Sequence, residues 1–559
     1  MPHLIKFISL LAFVGFILAA CTPAARPTPP PPVLVVATAA APTAAPSPTP
    51  TLPPPTAEPS STPFVPTAVP EPPPSPTPIP TPACLSPAPD LWGKWCFEAN
   101  LFIHPLALDQ HEGVFYLLDG GRLLALSENA PPTTLLAPNE VISGTTVMEP
   151  LDLVAGPAGV LVLDRVGDVY RYEPATAAWS LDRYGRPSGT TATHYYIALE
   201  TVEQDRYLLD ASYQYGFRYQ VGAGATPDRG WLLPSDETLV DMALWRTAEG
   251  VSHAYVLMEN RANATARLVF YEAGQEVSDF VAADLRQPRQ VRATSTAVYV
   301  LDYAGARLTQ FDPRTGEIVA EIPLPITVSA FWVSGDGAEL VLAGRDALYF
   351  WQRPQTTQWL TGGTPLVGSQ PHDPELWRAL APRLWPVQGA QLPRRENQMP
   401  GAPRHYRLGV HGGVDFYWSA GKEVRAAADG LIIRATHDYT QPTPRVYDDQ
   451  REASLAAGYT PPDALDFYRG RQLWIAYGDG TVGRYAHLQG IDPDLQVGDV
   501  VTQGQVVGWV GNSGTPASEE SETEDAHLHY EVWLGEAYSL GQFIRPSEAR
   551  DWFAELFGE

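Results

Sequence analysis

The chain has 559 residues, 44% of them hydrophobic, which is long enough for two or three domains with sizeable cores; its 57 prolines are far above ordinary usage. The formal net charge is −26. Residues 1–83 hold only Lys6, Arg26, Glu58 and Glu71, which cancel, so the excess lies on 84–559 and argues against a nucleic-acid partner.

The first 20 residues read as a targeting segment. Lys6 supplies a positive start, and I-S-L-L-A-F-V-G-F-I-L-A-A (8–20) is an apolar run too short to span a bilayer comfortably. The run ends L-A-A-C and resembles a bacterial lipoprotein signal. The resemblance implies a lipid on Cys21 that tethers the chain to a membrane without spanning it. Thr22 follows where an inner-membrane retention signal would place Asp, so an outer membrane or outer face is expected where two membranes exist. Residues 22–83 contain 24 prolines in 62 positions and cannot build a core. They read as a polyproline-type spacer of up to roughly 190 Å, at about 3.1 Å per residue. Cys84 and Cys96, an even pair in an exported chain, read as a local disulfide. No cysteine is left for a thiolate nucleophile or a cysteine-rich metal site.

From 84 to about 370 one unit recurs: an apolar strand, an Asp, a Gly-containing turn and a second alternating strand. It begins at Val114, Val160, Tyr207 and Val298, with Asp119, Asp164, Asp210 and Asp302 at the turns. Degenerate copies without the Asp begin at Ala254 and Leu340. Hairpins at a period near 45 predict a β-propeller of six blades, or seven, and resemble the loosely defined blades of NHL and quinoprotein-type propellers. The repeated Asp is expected to fix the turn rather than bind metal.

Residues 371–403 read as a connector with a short helix. The last domain, 404–559, carries H-G-G-V-D (411–415), V-R-A-A-A-D-G-L-I-I-R-A, then L-W-I-A-Y-G-D-G-T-V-G-R-Y-A-H-L with His487 on its outgoing strand. V-G-D-V-V-T-Q-G-Q-V-V-G-W-V-G-N-S-G-T and A-H-L-H-Y-E-V follow, the last holding His527 and His529. An H-x-H pair alone is weak, and each histidine singly reads as an ordinary satisfied side chain. Jointly, with Asp415 in register, they do not.

This ordered series resembles the lysostaphin-like (LytM-type) zinc metallopeptidases of bacterial cell walls over about 404–548. The resemblance implies a small antiparallel β domain, with His411, Asp415 and His529 as the ligands of a zinc ion that keeps a position open for water. Two neutral imidazoles and one carboxylate would leave the ion a net charge of about +1, enough to bring the pKa of bound water toward about 7. His527, two residues from His529, leans over the same strand face; by the resemblance it is the general base or orients the water. His487 would stabilise the oxyanion or protonate the leaving amine. Glu531, again two residues on, could orient a ligand imidazole. His405 and His437 match no motif and read as surface residues.

Two departures stand out. Residues 437–470 form an insertion, either a lid or specificity loop or plain decoration, with a helical turn or two at E-A-S-L-A-A-G. Residues 516–525, P-A-S-E-E-S-E-T-E-D, place five carboxylates before His527, either a solvated loop or a rim drawing an amino-bearing peptide. The run D-F-Y-W-S-A-G-K-E-V after Asp415 is also unusual, so substrate preference does not transfer. The expected whole is an all-β, extracytoplasmic, lipid-anchored, wall-facing zinc endopeptidase acting on peptidoglycan peptides, with the propeller positioning it or binding a protein partner. The rival readings are a non-catalytic adaptor or activator of another hydrolase, and an endopeptidase for a protein substrate.

Overall fold

The computed structural model describes residues 92–558, apart from 99–100, 184–193, 204, 221–228, 234–236, 248–251, 261–264, 273, 282–284, 325, 352–356, 363–379, 381 and 535–537. The expected signal segment, Cys21, the proline-rich spacer, Cys84 and the helix expected near 371 lie outside the described residues. No helix among the described residues is long and apolar enough to cross a membrane.

Six antiparallel sheets follow in chain order, at 105–136, 150–183, 196–232, 237–281, 288–323 and 330–351. The first strand of each touches the first strand of the next, and the sixth returns to the first, so the sheets are the blades of a closed propeller. The six predicted hairpins are the two middle strands of each blade. The last blade takes Trp92–Phe97 in between two of its own four strands: it pairs antiparallel from Trp92↔Trp351 to Cys96↔Ala347 and parallel, on its other side, from Lys94↔Thr357 to Phe97↔Leu360. Cys96 is thereby buried, and it is disulfide-bonded. Closing the ring with the beginning of the domain ties the two ends of the propeller together and removes an open sheet edge.

The repeated Asp does more than fix its own turn. Each carboxylate is buried and accepts backbone N–H bonds from the segment that enters its blade: Asp119 from Ile103 and His104, Asp164 from Met148 and Glu149, Asp210 from Tyr195, Asp302 from Arg286. Val166, Ser212 and Gly305 donate from the turns themselves. One side chain thus satisfies orphan donors on two loops at once.

The C-terminal domain is built on one antiparallel sheet. Its strands are β1 (Val414–Tyr417), β3 (Gly430–Ala435), β4 (Leu473–Tyr477), β5 (Thr481–Ala486), β7 (Val500–Val501) and β9 (His527–Leu534), in the order β1-β9-β5-β4-β3-β7, with β10 (Tyr538–Ser539) on β9. A second sheet has β8 (Val506–Val510) between β2 (Glu423–Arg425) and β6 (Leu488–Ile491). Val387, Ala390 and Met399 from the connector are buried in the same core, as are Trp552, Phe553, Leu556 and Phe557 of a helix at Pro546–Phe557.

The insertion holds more helix than the expected turn or two: α1 at Pro444–Ala457 and α2 at Pro462–Arg469, each opened by a proline in its first turn, with the final helix becoming α3. Tyr447, Ala464 and Tyr468 form a small core between them.

The domain docks on one end of the propeller. Arg545, buried just before α3, reaches Asp241 Oδ1 at 2.8 Å and Asp152 Oδ1 at 3.2 Å, on the first strands of two blades. Arg289 pairs with Asp551 at 2.7 Å and His104 with Glu548 at 3.1 Å, and Arg165 bonds the Ile544 carbonyl.

Candidate metal centre and cleft

β1 and β9 pair with Asp415 directly opposite His529 and Tyr417 opposite His527. Directly opposed residues on antiparallel strands share a face, and alternation along β9 puts His527, His529 and Glu531 on it together. Leu528, Tyr530 and Val532 point the other way, into the core. The two glycines between His411 and Asp415 have a steric reason. A Cβ on Gly413 would lie 2.3 Å from the Tyr530 carbonyl oxygen, and one on Gly412 would lie 2.8 Å from Glu531 Oε1. His411 is delivered by the preceding loop, through two backbone bonds, its N–H to the Ala402 carbonyl and the Gly401 N–H to its own.

Three predicted residues converge. His411 Nε2, His529 Nδ1 and Asp415 Oδ1 lie 2.8–2.9 Å from one another, all buried. The partners of the remaining nitrogens fix the tautomers. His411 Nδ1 donates to the Met399 carbonyl at 2.9 Å, and His529 Nε2 donates to Glu531 Oε1 at 2.8 Å. The converging atoms are therefore three lone pairs, which repel unless a cation lies among them. Two imidazole nitrogens and one carboxylate oxygen suit zinc at about 2.0–2.2 Å, so the residues fit the expected ion.

Burial pulls the His411 imidazole down to about 3, and Arg404 adds to the fall, so it is neutral, as a ligand must be. His529 is lowered by burial, but its hydrogen bonds to Asp415 and Glu531 outweigh that and raise it.

The predicted catalytic pair lies beside this centre. His527 Nε2 is 3.8 Å from Asp415 Oδ1, and its ring stacks on Tyr417 at 4.8 Å. The run after Asp415 thus holds His527 in place from the neighbouring strand. His487 is not on the outgoing strand as expected. It follows β5 in the left-handed conformation, φ 59°, which turns its ring back to 4.8 Å from that of His527. His527 Nδ1 donates to the Asp525 carbonyl at 2.7 Å and His487 Nδ1 to the Ser513 carbonyl at 2.8 Å. Burial, then the neighbouring histidines, hold His487 well below the usual imidazole range. Neutral His487 consequently offers only a lone pair at Nε2. The expected donation to an oxyanion or leaving amine requires it to gain a proton first.

Glu531 does orient a ligand imidazole, and it is itself clamped. Arg469, the last residue of α2, donates to it twice, at 3.0 and 2.9 Å, and Trp533 donates once at 2.5 Å. The Arg469 carbonyl also accepts the His487 N–H at 3.0 Å. The insertion therefore builds part of the site and is not simple decoration. Leu465, Tyr468 and Arg469 line one side of the cleft, with Arg404, Tyr406 and Arg407 nearby. Arg404, Arg407 and Arg469 carried no signal in the motif pattern; only folding brings them to the metal centre.

The acidic run does not line the cleft. Thr515 and Pro516 do, but none of its five carboxylates does. A short 3-10 turn at Pro516–Glu519, anchored by Ser518 against Tyr447 and Gln441 of the insertion, sets the run aside until its last residue, Asp525, returns to hold His527 through its carbonyl. His405 and His437 stay apart from the metal centre, as expected, but both are half-buried and bonded to carbonyls, of His194 on the propeller and of Leu495.

Residues 409–540 match the model of peptidase family M23, a stretch that contains His411, Asp415, His487, His527 and His529. Over 131 residues the chain is 28% identical to the glycyl-glycine endopeptidase ALE-1 of Staphylococcus capitis; the match covers 22% of this chain and 26% of that protein, so the chain spans about a quarter of the relative's length. The solved catalytic domain of the M23 protein EnpA from Enterococcus faecalis is 23% identical, with a TM-score of 0.16, covering 24% of this chain and 76% of that one. A gluconolactonase from Xanthomonas campestris aligns at 13% identity with a TM-score of 0.35, over 46% of this chain and 89% of its own.

Proposed function

We propose that this chain is a zinc endopeptidase that hydrolyses peptide bonds in peptidoglycan stems or cross-bridges. In this reading a lipid on Cys21 anchors it outside the cytoplasm, the spacer lets it reach the wall, and the propeller positions it or binds a partner. The observation that carries the proposal is the meeting of three lone pairs from His411, Asp415 and His529 beside two further histidines whose Nε2 atoms are free to take a proton. The family match and the endopeptidase relative support the reaction class.

Zinc held there supplies Lewis acidity, polarising a carbonyl and bringing the pKa of water to about 7. The side chains do the rest. His527, nearest the metal ligands, takes the proton of the attacking water at Nε2. A histidine so charged has become a donor and passes that proton to the leaving amine, a role His487 can share only in its charged form. Tyr417 and the Asp525 carbonyl keep the His527 ring in place throughout.

The test is metal analysis with digestion of purified peptidoglycan. The wild type should bind stoichiometric zinc and release new muropeptides. His411→Ala should lose the zinc. His527→Ala should keep it while turnover falls by about 10²–10⁴-fold. A stoichiometric zinc protein that leaves the muropeptides unchanged would sink the enzyme reading.

A further inference from the structure

Arg407 carries a buried charge that no acid among the described residues pairs with. It is 5% exposed, and its hydrogen bonds run to neutral groups, the Thr460 hydroxyl and the Val410 carbonyl, both at 2.9 Å, and the Tyr406 side chain, with the Tyr468 ring 5.7 Å away. Its Nε has no partner. A guanidinium taken out of water without a counter-ion is costly, and removing that cost favours an anion alongside it. Besides burial and the Tyr406 side chain, the groups that act on it are of its own sign, Arg404 and Arg469.

Those two differ in how far they are committed. Arg469 is held by both oxygens of Glu531. Arg404 reaches Asp415 Oδ2 only at 3.4 Å and the Pro403 carbonyl at 3.5 Å, at the limit of hydrogen bonding. All three arginines line the same cleft as His411, His527 and His529. With a divalent ion in place, the cleft sets three guanidiniums and that ion against two carboxylates, Asp415 and Glu531. On a chain of net charge −26 this is a sharp local reversal of sign.

We propose that the cleft recognises a free carboxylate on the substrate, close to the scissile bond, through Arg404 and Arg407. This rests on the peptidase reading and narrows it. The preferred substrate is an anionic wall peptide, its carboxylate on a diamino-diacid or at the chain end, rather than an uncharged bridge. The planar guanidinium fork matches a carboxylate in two-point geometry, and burial of Arg407 strengthens the attraction.

The probes are synthetic stem-peptide dimers linked through a diamino-diacid, in three forms: both carboxylates free, the diacid carboxylate amidated, and the terminal carboxylate amidated. The zinc-loaded full chain should cut one amidated form at least about ten-fold less efficiently in kcat/KM than the free form, and which form suffers identifies the carboxylate. Arg407→Gln and, at a less buried position, Arg404→Gln should each bring that ratio to within about two-fold. The ratio is read because damage to folding or metal binding lowers all three rates together. Equal rates on all three dimers would overturn the carboxylate reading and leave the peptidase standing. If no dimer is cut, the peptidase reading fails, and calorimetric binding of the three decides: equal affinities overturn carboxylate recognition, and weaker binding of an amidated form upholds it.

Discussion

His529 lies between two carboxylates, Asp415 on the metal side and Glu531 behind it, and the second is governed from the insertion. The Arg469 charge, acting through burial that would otherwise raise the acid, helps hold Glu531 well below the usual carboxylate range. A carboxylate that stays ionised keeps the His529 tautomer fixed and its metal-facing nitrogen basic. Arg469→Ala leaves Glu531 buried without its counter-charge, bonded only to His529 and Trp533. Zinc affinity, measured by competition with a chelating indicator, should fall by about 10–100-fold. An unchanged affinity would mean that Arg469 shapes the cleft wall only. The sequence showed Glu531 in register with the histidines, because strand alternation is local. It gave no hint of Arg469, because the pair spans 62 residues and two elements.

In the propeller the element that matters is the hairpin with its aspartate. The four copies differ in how their charge is met. Asp119 and Asp302 lie 3.1 and 3.0 Å from Arg122 and Arg307. Asp164 faces Asp168 instead; burial, opposed by the Met148 N–H, pushes it up to about 7. Its pKa in the folded chain is thus above the unfolded value of about 3.9. Its contribution to stability is then fully present below about pH 4 and is lost as pH rises through about 7. Asp164→Asn removes that dependence. The stability advantage of the wild type over the variant should shrink by on the order of 2 kcal/mol between pH 5 and pH 8, read from thermal unfolding midpoints. An advantage equal at both values would show that Asp164 is ionised throughout. The hairpins were legible from their alternation and turn residues. The strand Trp92–Phe97 in the last blade was not, since it finds its partners some 250 residues on, and nothing local announces a pairing of that range.

At the scale of the whole molecule, two folded parts are locked by ion pairs at one end of the propeller. Arg545 is the centre of the lock: Asp241 is fully buried, Asp152 nearly so, and burial pushes Asp152 up to about 6 even with the arginine present. Arg545→Ala should cost about 3–5 kcal/mol, because it leaves two buried carboxylates with only Arg292, 3.6 Å from Asp241, to offset them. Hydrogen exchange should speed up both in α3 and in the first strands of the blades that carry Asp152 and Asp241. Acceleration confined to α3 would show that the propeller does not depend on the docked domain.

The sequence by itself determined the propeller repeat, the C-terminal β domain and five of the groups at its centre. Hairpin patterning, glycine spacing and strand alternation are short-range, and period 2 alone puts His527, His529 and Glu531 on one face. Tertiary structure decided the rest. It placed His487 by a left-handed kink, turned the acidic run away from the cleft and carried the insertion in to clamp Glu531. It also left Arg407 buried without a counter-charge. Charge balance in a buried site depends on which distant side chains share its low-dielectric space, and that is known only once the chain has closed around it.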